Sequence, residues 1–287
     1  MPRVRIVTDS TTRFTTSNLL DRFPITFLPI GIRSGSFTVQ DSPTSDLAAV
    51  QKLIEKRYSL PTPIGPTQEK IAEIYADLQS ETDQVLSIHT SSGLINTVAM
   101  AHAASQQFRG RMDIQVIDSY SASVGLGILV QAAVEAALRG EKLEGMVRIV
   151  RGMIPRLYLV FFLDNLDYLE KNGLVSRSQA ILGNMLGIIP FLTIEEGQLI
   201  PMEKVRSRAR AIEKLIEFVC EFAAVEHLAI MQSDLQPSQE SLSIMDRLRS
   251  YYPSTPISTT CYGPFISTFV GQNSLGVAVL EAEEGSL

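Results

Sequence analysis

Three apolar, strand-like runs in the N-terminal half of the chain each break off into small hydroxyl or Asp-Ser residues: Thr8-Asp9-Ser10-Thr11-Thr12, Thr90-Ser91-Ser92 and Asp118-Ser119. Short apolar runs that alternate with helical periodicity build a parallel sheet covered by helices. In an open sheet of that kind, ligands collect in the crevice beyond the carboxyl ends of the strands. The three endings are therefore expected to line one polar pocket.

The alternation can be followed along the chain. Residues 4–7, 84–89 and 114–117 read as buried strands, with helical spacing after Ser92 up to about Phe108 and again over residues 122–138, where Gly140 stands as a C-terminal cap. Residues 20–50 are rich in Pro, Gly, Ser and Thr and predict irregular strands or a hairpin. Further on, residues 157–163 form a very apolar strand, and a short helix over 165–171 is ended by Asn172-Gly173. A hairpin over 189–202 turns at Glu196-Gly197, and residues 207–223 have amphipathic helical spacing. A strand-helix-strand set over 227–260 and a strand at 276–281 complete the pattern. The 287 residues suit two α/β domains, 1–155 with a parallel, Rossmann-like sheet and 156–287 with a mixed sheet and helices.

Charge and composition narrow the function. A formal charge of -6 and a pI near 5.2 provide no broad basic surface for nucleic acid or an anionic membrane, so neither is an expected partner. Cys220 and Cys261 make no disulfide framework and no CxxC pattern, which fits a reducing compartment and predicts a cytoplasmic protein. Arg3 and Arg5 lie in a strand-like opening with no long apolar region behind them, and no later stretch is expected to insert stably in a membrane. His89, His102 and His227 fall at no metal-ligand spacing, so no metal is expected. No Walker-type loop and no GxSxG elbow is present, and Gly125-Leu126-Gly127 lies too far inside its helix for a dinucleotide fingerprint; close helix packing explains it.

Ser91 and Ser92 stand where a strand gives way to a helix, so their hydroxyls and free backbone N–H groups suit a carboxylate or phosphate; Ser92 also reads as a simple N-cap. Asp9-Ser10 and Asp118-Ser119 read equally as residues that orient their own loops. His89 reads as a hydrogen-bonded structural histidine rather than a catalyst. The apolar stretches 159–163 and 181–192 read as core, with an elongated apolar tunnel as the sharper alternative.

Taken in order along the whole chain, these segments resemble the DegV family of bacterial fatty-acid-binding proteins. Residues 4–10 are similar to the family's opening strand with its Asp-Ser ending, and Thr62 stands where its TSQPS segment begins. Ser91-Ser92 with Thr97 resembles the SSxxSGT element, and Val116-Ile117-Asp118-Ser119 with Ser123, Gly125 and Gly127 resembles the next block. Leu163-Asp164-Asn165-Leu166-Asp167-Tyr168-Leu169 followed by Gly173 is close to LDNLxYLxxGG, and Pro190, Gly197 and Arg206 fall in register.

The resemblance implies one long-chain fatty acid enclosed between two α/β domains, its carboxylate held by hydroxyl groups, in a carrier that presents it to a separate fatty acid kinase subunit and is not itself an enzyme. No cofactor is implied beyond the bound lipid. Carried over by position, Thr62, Ser91, Ser92 and Thr97 become the lipid contacts, and Arg206 and Asn273 become contacts for the head group or an acyl phosphate.

Three departures bear on this. TSQPS reads Thr62-Pro63-Ile64-Gly65-Pro66, SGT reads Ile95-Asn96-Thr97, and Phe269 stands where the family has a histidine before a GPG-like loop. A phenyl ring donates no hydrogen bond or proton. A lipid sensor or reservoir without kinase coupling, and an enzyme of unknown reaction using His89 in the same crevice, therefore stand as alternatives.

Overall fold

The computed structural model describes residues 4–16, 18–42 and 61–283, and within them the strand-helix alternation organises two principal sheets. The first is fully parallel, in the order β2 (Ile25–Leu28), β1 (Val4–Asp9), β6 (Gln84–His89), β7 (Asp113–Asp118). Because all four strands run the same way, Asp9, His89 and Asp118 emerge at the same sheet end, with His89 opposite Asp118 in register.

The second sheet is mixed and six-stranded. Its order is β10 (Gln198–Val205), β9 (Ile189–Glu195), β8 (Leu157–Phe162), β13 (Leu275–Glu281), β11 (Val225–Gln232), β12 (Ile257–Cys261), and only β11 and β12 are parallel neighbours. The β9–β10 hairpin turns at Glu196 and Gly197, with φ of 47° and 80°, the left-handed pair that a two-residue hairpin turn requires. Within the Pro- and Gly-rich region β4 (Phe37–Asp41) and β3 (Ile30–Ser34) pair as an antiparallel hairpin, and β5 (Thr62–Ile64), from beyond that region, completes a small antiparallel sheet on the other side of β3. The part of that expectation falling on residues 43–50 lies outside the described residues. One four-residue helix, α1 (Leu19–Arg22), precedes these strands, where no helix was expected.

Helices α2 (Gln68–Gln79) and α3 (Thr97–Ser105) cover one face of the parallel sheet, and α4 (Ser123–Leu138) and α5 (Leu143–Met153) lie on the other. A helix apolar all round has to be buried on all sides, and α4 meets that demand by packing on β1 and β6 of the first sheet and on β8 and β13 of the second. Its two glycines make this possible: a Cβ on Gly127 would sit 1.9 Å from the Arg13 carbonyl oxygen, and one on Gly125 would sit 2.1 Å from Ser121 Oγ. Gly140, at φ 83°, ends α4 as expected, with Glu141 N–H donating to Ala136 O.

In the C-terminal half, α6 (Asp167–Lys171) and α7 (Arg177–Met185) follow β8, α8 (Arg208–Cys220) and α9 (Gln239–Tyr251) cover the far face of the mixed sheet, and α10 (Gly263–Val270) is buried along its whole length. The apolar strand β8 divides its residues between two cores, Leu159 and Phe161 facing α4 and Val160 and Phe162 facing α8. Of the stretch 181–192, Phe191 and Leu192 on β9 are core as expected, but its first part departs from the expectation of core or tunnel. Ile181, Leu182, Met185 and Leu186 are exposed, Met185 to 81%, because α7 lies on the outside of α6 and β10 rather than between the sheets.

Candidate functional site

At the carboxyl end of the parallel sheet, Asp9 is wholly buried at the tip of β1 and its two oxygens do different work. Oδ2 accepts the main-chain N–H of Thr90 at 2.8 Å, and Oδ1 is bonded to His89 Nδ1 at 2.8 Å. The other ring nitrogen of His89 meets Ser87 Oγ at 2.7 Å, which in turn meets the Tyr75 hydroxyl at 2.8 Å. Burial pushes the Tyr75 hydroxyl well above its usual pKa, against a smaller opposing effect of the Ser87 bond. His89 is thus a fully sequestered structural histidine, as its sequence context suggested, and it cannot reach a ligand in the crevice.

The Thr90–Gly93 turn rests on that support and touches the second sheet. Ser91 Oγ donates to Gly197 O at 2.6 Å and accepts from Gly93 N at 3.2 Å, which commits its hydroxyl to the seam between the halves of the molecule. The close approach needs a glycine at 93, where a Cβ would fall 2.2 Å from Gly197 O. Ser92 is exposed and is no N-cap: α3 begins at Thr97, after a turn in which Leu94 N and Ile95 N donate to Ser91 O. The Ser92 N–H instead reaches the Asp118 carboxylate, which also receives Tyr120 N at 2.9 Å. Asp118 therefore orients its own loop, one of the two roles its sequence allowed.

Thr97 is the first residue of α3. Its side chain is wholly buried and its Oγ1 has no hydrogen-bond partner. Asn96, at the N-cap position, makes no side-chain cap bond. The first N–H groups of a helix have no partner inside it and create positive potential there. Gly65 lies directly against this end, since a Cβ there would approach Asn96 Oδ1 at 2.8 Å and Thr97 Oγ1 at 3.4 Å. The segment starting at Thr62 and the segment ending at Thr97 are thereby brought together, although Thr62 itself is exposed on β5, opposite Arg33.

Arg206 and Asn273 stand elsewhere. Arg206 is exposed in the bend between β10 and α8, while Asn273 gives its carbonyl to Arg208 at 3.0 Å. Arg208 is held by Glu240 and Asp164, and these residues line a polar cavity of about 420 Å³. Among the described residues, no hydrogen bond joins Arg206 or Asn273 to Thr97 or to the Thr90–Gly93 turn.

Two groups that sequence reasoning missed hold the seam. Arg13 and Asp41 form a buried ion pair, and Asp41 Oδ2 accepts Phe265 N at 2.8 Å, capping α10. Gly263, at φ 76°, lets α10 begin directly against the Arg13 guanidinium. Lys171 Nζ donates to Pro61 O and, at 3.1 Å, to Thr268 O, joining β5 to α10 through the end of α6. No group of three or more potential metal ligands occurs among the described residues, and no helix there is long and apolar enough to cross a membrane.

Comparison with known proteins agrees with this architecture. The family model described as "Uncharacterised protein, DegV family" matches residues 3–282. The chain belongs to the DegV family. It is similar to "Protein DegV" of Bacillus subtilis, at 26% identity over 278 residues, 96% of this chain and 98% of that protein. Among solved structures it resembles a DegV lipid binding protein from Thermotoga maritima, with a TM-score of 0.80 and 26% identity over 98% of this chain and 100% of the other. It shares its fold with the Streptococcus pneumoniae fatty acid kinase (Fak) B3 protein loaded with linoleic acid, with a TM-score of 0.82, 16% identity, and coverage of 97% of this chain and 99% of the other.

Proposed function

We propose that the protein is a cytoplasmic carrier that binds one long-chain fatty acid in a buried tunnel between its two α/β domains, divided near residue 155. The observation that carries this reading is the Thr97 hydroxyl, buried without a partner at the uncapped start of α3. Leaving such a group unsatisfied costs about 1–3 kcal/mol, and a carboxylate satisfies both the hydroxyl and the helix N–H groups. A DegV family protein from Eubacterium eligens loaded with heptadecanoic acid and the fatty acid kinase B3 protein loaded with linoleic acid support the choice of a fatty acid as the source of that carboxylate. Thr62 and Ser92, both exposed, complete the proposed lipid contacts, and Ser91 holds the turn against the second sheet.

Affinity in such a site comes from the tail. At about 0.8 kcal/mol per buried methylene, a dozen contribute roughly 10 kcal/mol before ordering costs. The head group supplies orientation, since a buried carboxylate without donors takes up a proton instead.

A carrier of this kind presents its fatty acid to a separate kinase, and the likeness to the fatty acid kinase B3 protein supports that role. One observation favours a reservoir or sensor without kinase coupling: Phe269 is buried in α10, packed on Phe265 with ring centroids 5.3 Å apart, where the family pattern has a histidine. The sequestration of His89 weighs against an enzyme built on that residue.

Denaturing extraction and mass spectrometry of the purified protein test the reading. One class of fatty acid near one per chain is expected, and Thr97→Val, which removes the hydroxyl at nearly constant volume, should lower that occupancy. Absence of lipid, together with no thermal stabilisation by added fatty acid, overturns it.

A further inference from the structure

Lys171 is half-buried at the end of α6, and its two acceptors, Pro61 O and Thr268 O, are main-chain carbonyls. An ammonium has three N–H donors, and among the described residues no carboxylate pairs with this one. The elements packed around it leave the charge uncompensated: neither β5, with the sequence TPI, nor α10, with the sequence GPFISTFV, contains an ionisable side chain. On α6 itself, Asp167 accepts from Asn184 Nδ2 and Glu170 makes no ion pair with Lys171 among the described residues. Burial lowers the Lys171 pKa from 10.5 to about 8, with no charged neighbour opposing it.

The carboxyl end of the parallel sheet carries an anionic group. Asp118 faces the Ser92 N–H with no cationic partner among the described residues, and it repels any ligand carboxylate nearby. β5 links the lysine to the start of α3, with Pro61 at one end against Lys171 and Gly65 just beyond the other against Thr97. Pro61 and Gly65 are four residues apart, roughly 13 Å along an extended chain, and over that distance a half-buried charge is screened less than an exposed one.

We propose that Lys171 supplies the positive charge by which the crevice selects an anionic head group over a neutral lipid of the same length, a role that rests on the fatty-acid reading above. The position is suited to it, because the residues adjoining its two acceptors are Thr62 and Phe269, and the phenyl group at 269 offers the head group no donor and no charge.

The test compares palmitate with hexadecanol, equal in chain length and different in charge, by titration calorimetry on the full chain. Wild-type protein is expected to prefer palmitate. Lys171→Gln, which keeps a donor for the two carbonyls, should weaken palmitate binding roughly tenfold and leave hexadecanol unchanged, while Lys171→Arg should retain the preference. An unchanged preference in Lys171→Gln overturns the proposal, as does an equal loss for both probes, which would mark a structural role alone. Wild-type protein that takes up both probes equally overturns this proposal and leaves the carrier reading standing; wild-type protein that takes up neither overturns both.

Discussion

The Asp9 carboxylate holds the main-chain N–H of Thr90 at 2.8 Å, so the turn that ends one strand is fixed by the buried tip of its neighbour. His89 occupies the second oxygen and keeps the carboxylate from rotating away. Hydrogen bonds to a buried charged group contribute about 1.5–3 kcal/mol each. Asp9→Ala is therefore expected to destabilise the protein by roughly 3 kcal/mol or more, read as a lower midpoint in urea. Hydrogen exchange should show the Thr90 amide losing protection more than the amides in the middle of β6.

The buried pair of Arg13 and Asp41 ties the loop after β1 to α10. Removing one member of such a pair leaves an uncompensated charge and costs about 3–5 kcal/mol. Asp41→Ala also orphans the Phe265 N–H, so its loss should fall at the upper end of that range, measured by chemical denaturation. The double variant Arg13→Met with Asp41→Leu should recover part of the loss, because the stranded charge is gone.

Two glycines should respond to alanine in opposite directions. A Cβ on Gly127 meets the Arg13 backbone carbonyl at 1.9 Å, and a main-chain atom cannot swing aside as a side-chain tip can. Gly127→Ala should destabilise by about 1–3 kcal/mol or more through overpacking. A Cβ on Gly152, inside α5, meets nothing within 4 Å. Gly152→Ala should stabilise by about 0.5–1 kcal/mol through helix propensity. Thermal melts of the two variants beside the wild type check both signs.

The contrast between these elements shows what local sequence carries. Parallel strands, α4 and the Glu196-Gly197 turn were legible because period, length and left-handed turn residues are encoded within a few positions. The exposure of α7 was not, since Ile181, Leu182, Met185 and Leu186 have the spacing of a buried helix face and only the tertiary arrangement leaves them outside. The pairing of β3 with β5 joins segments distant in the chain, with nothing local to mark it. At the site, resemblance named Thr97 only beside Thr62, Ser91 and Ser92, and its lack of a partner is a property of the packed structure. Lys171 follows a glutamate on a short polar helix and reads as a solvated residue, because its acceptors lie 110 and 97 residues away.

Lys171 also makes a prediction about pH that requires no ligand. In the unfolded chain its pKa is 10.5, and burial lowers the folded value to about 8. Between those values the unfolded state binds more protons than the folded state, so this group makes stability rise with pH. Its unfavourable contribution is fully present below about 8 and fades as pH climbs towards 10.5, where both states are neutral. Tyr168 on the same helix has its pKa raised by burial first and by Asp167 second, and the sign for that group is opposite: its contribution lowers stability above pH 10. The clean window is therefore pH 8 to 9.5, below the tyrosine's range. Urea midpoints of lipid-free wild type should rise relative to Lys171→Met across that window, and the two curves should run parallel between pH 6 and 7, where the lysine is charged in both states. A difference between the proteins that stays constant from pH 6 to pH 9.5 would show that the ammonium is solvated in the folded state and not held between Pro61 and Thr268.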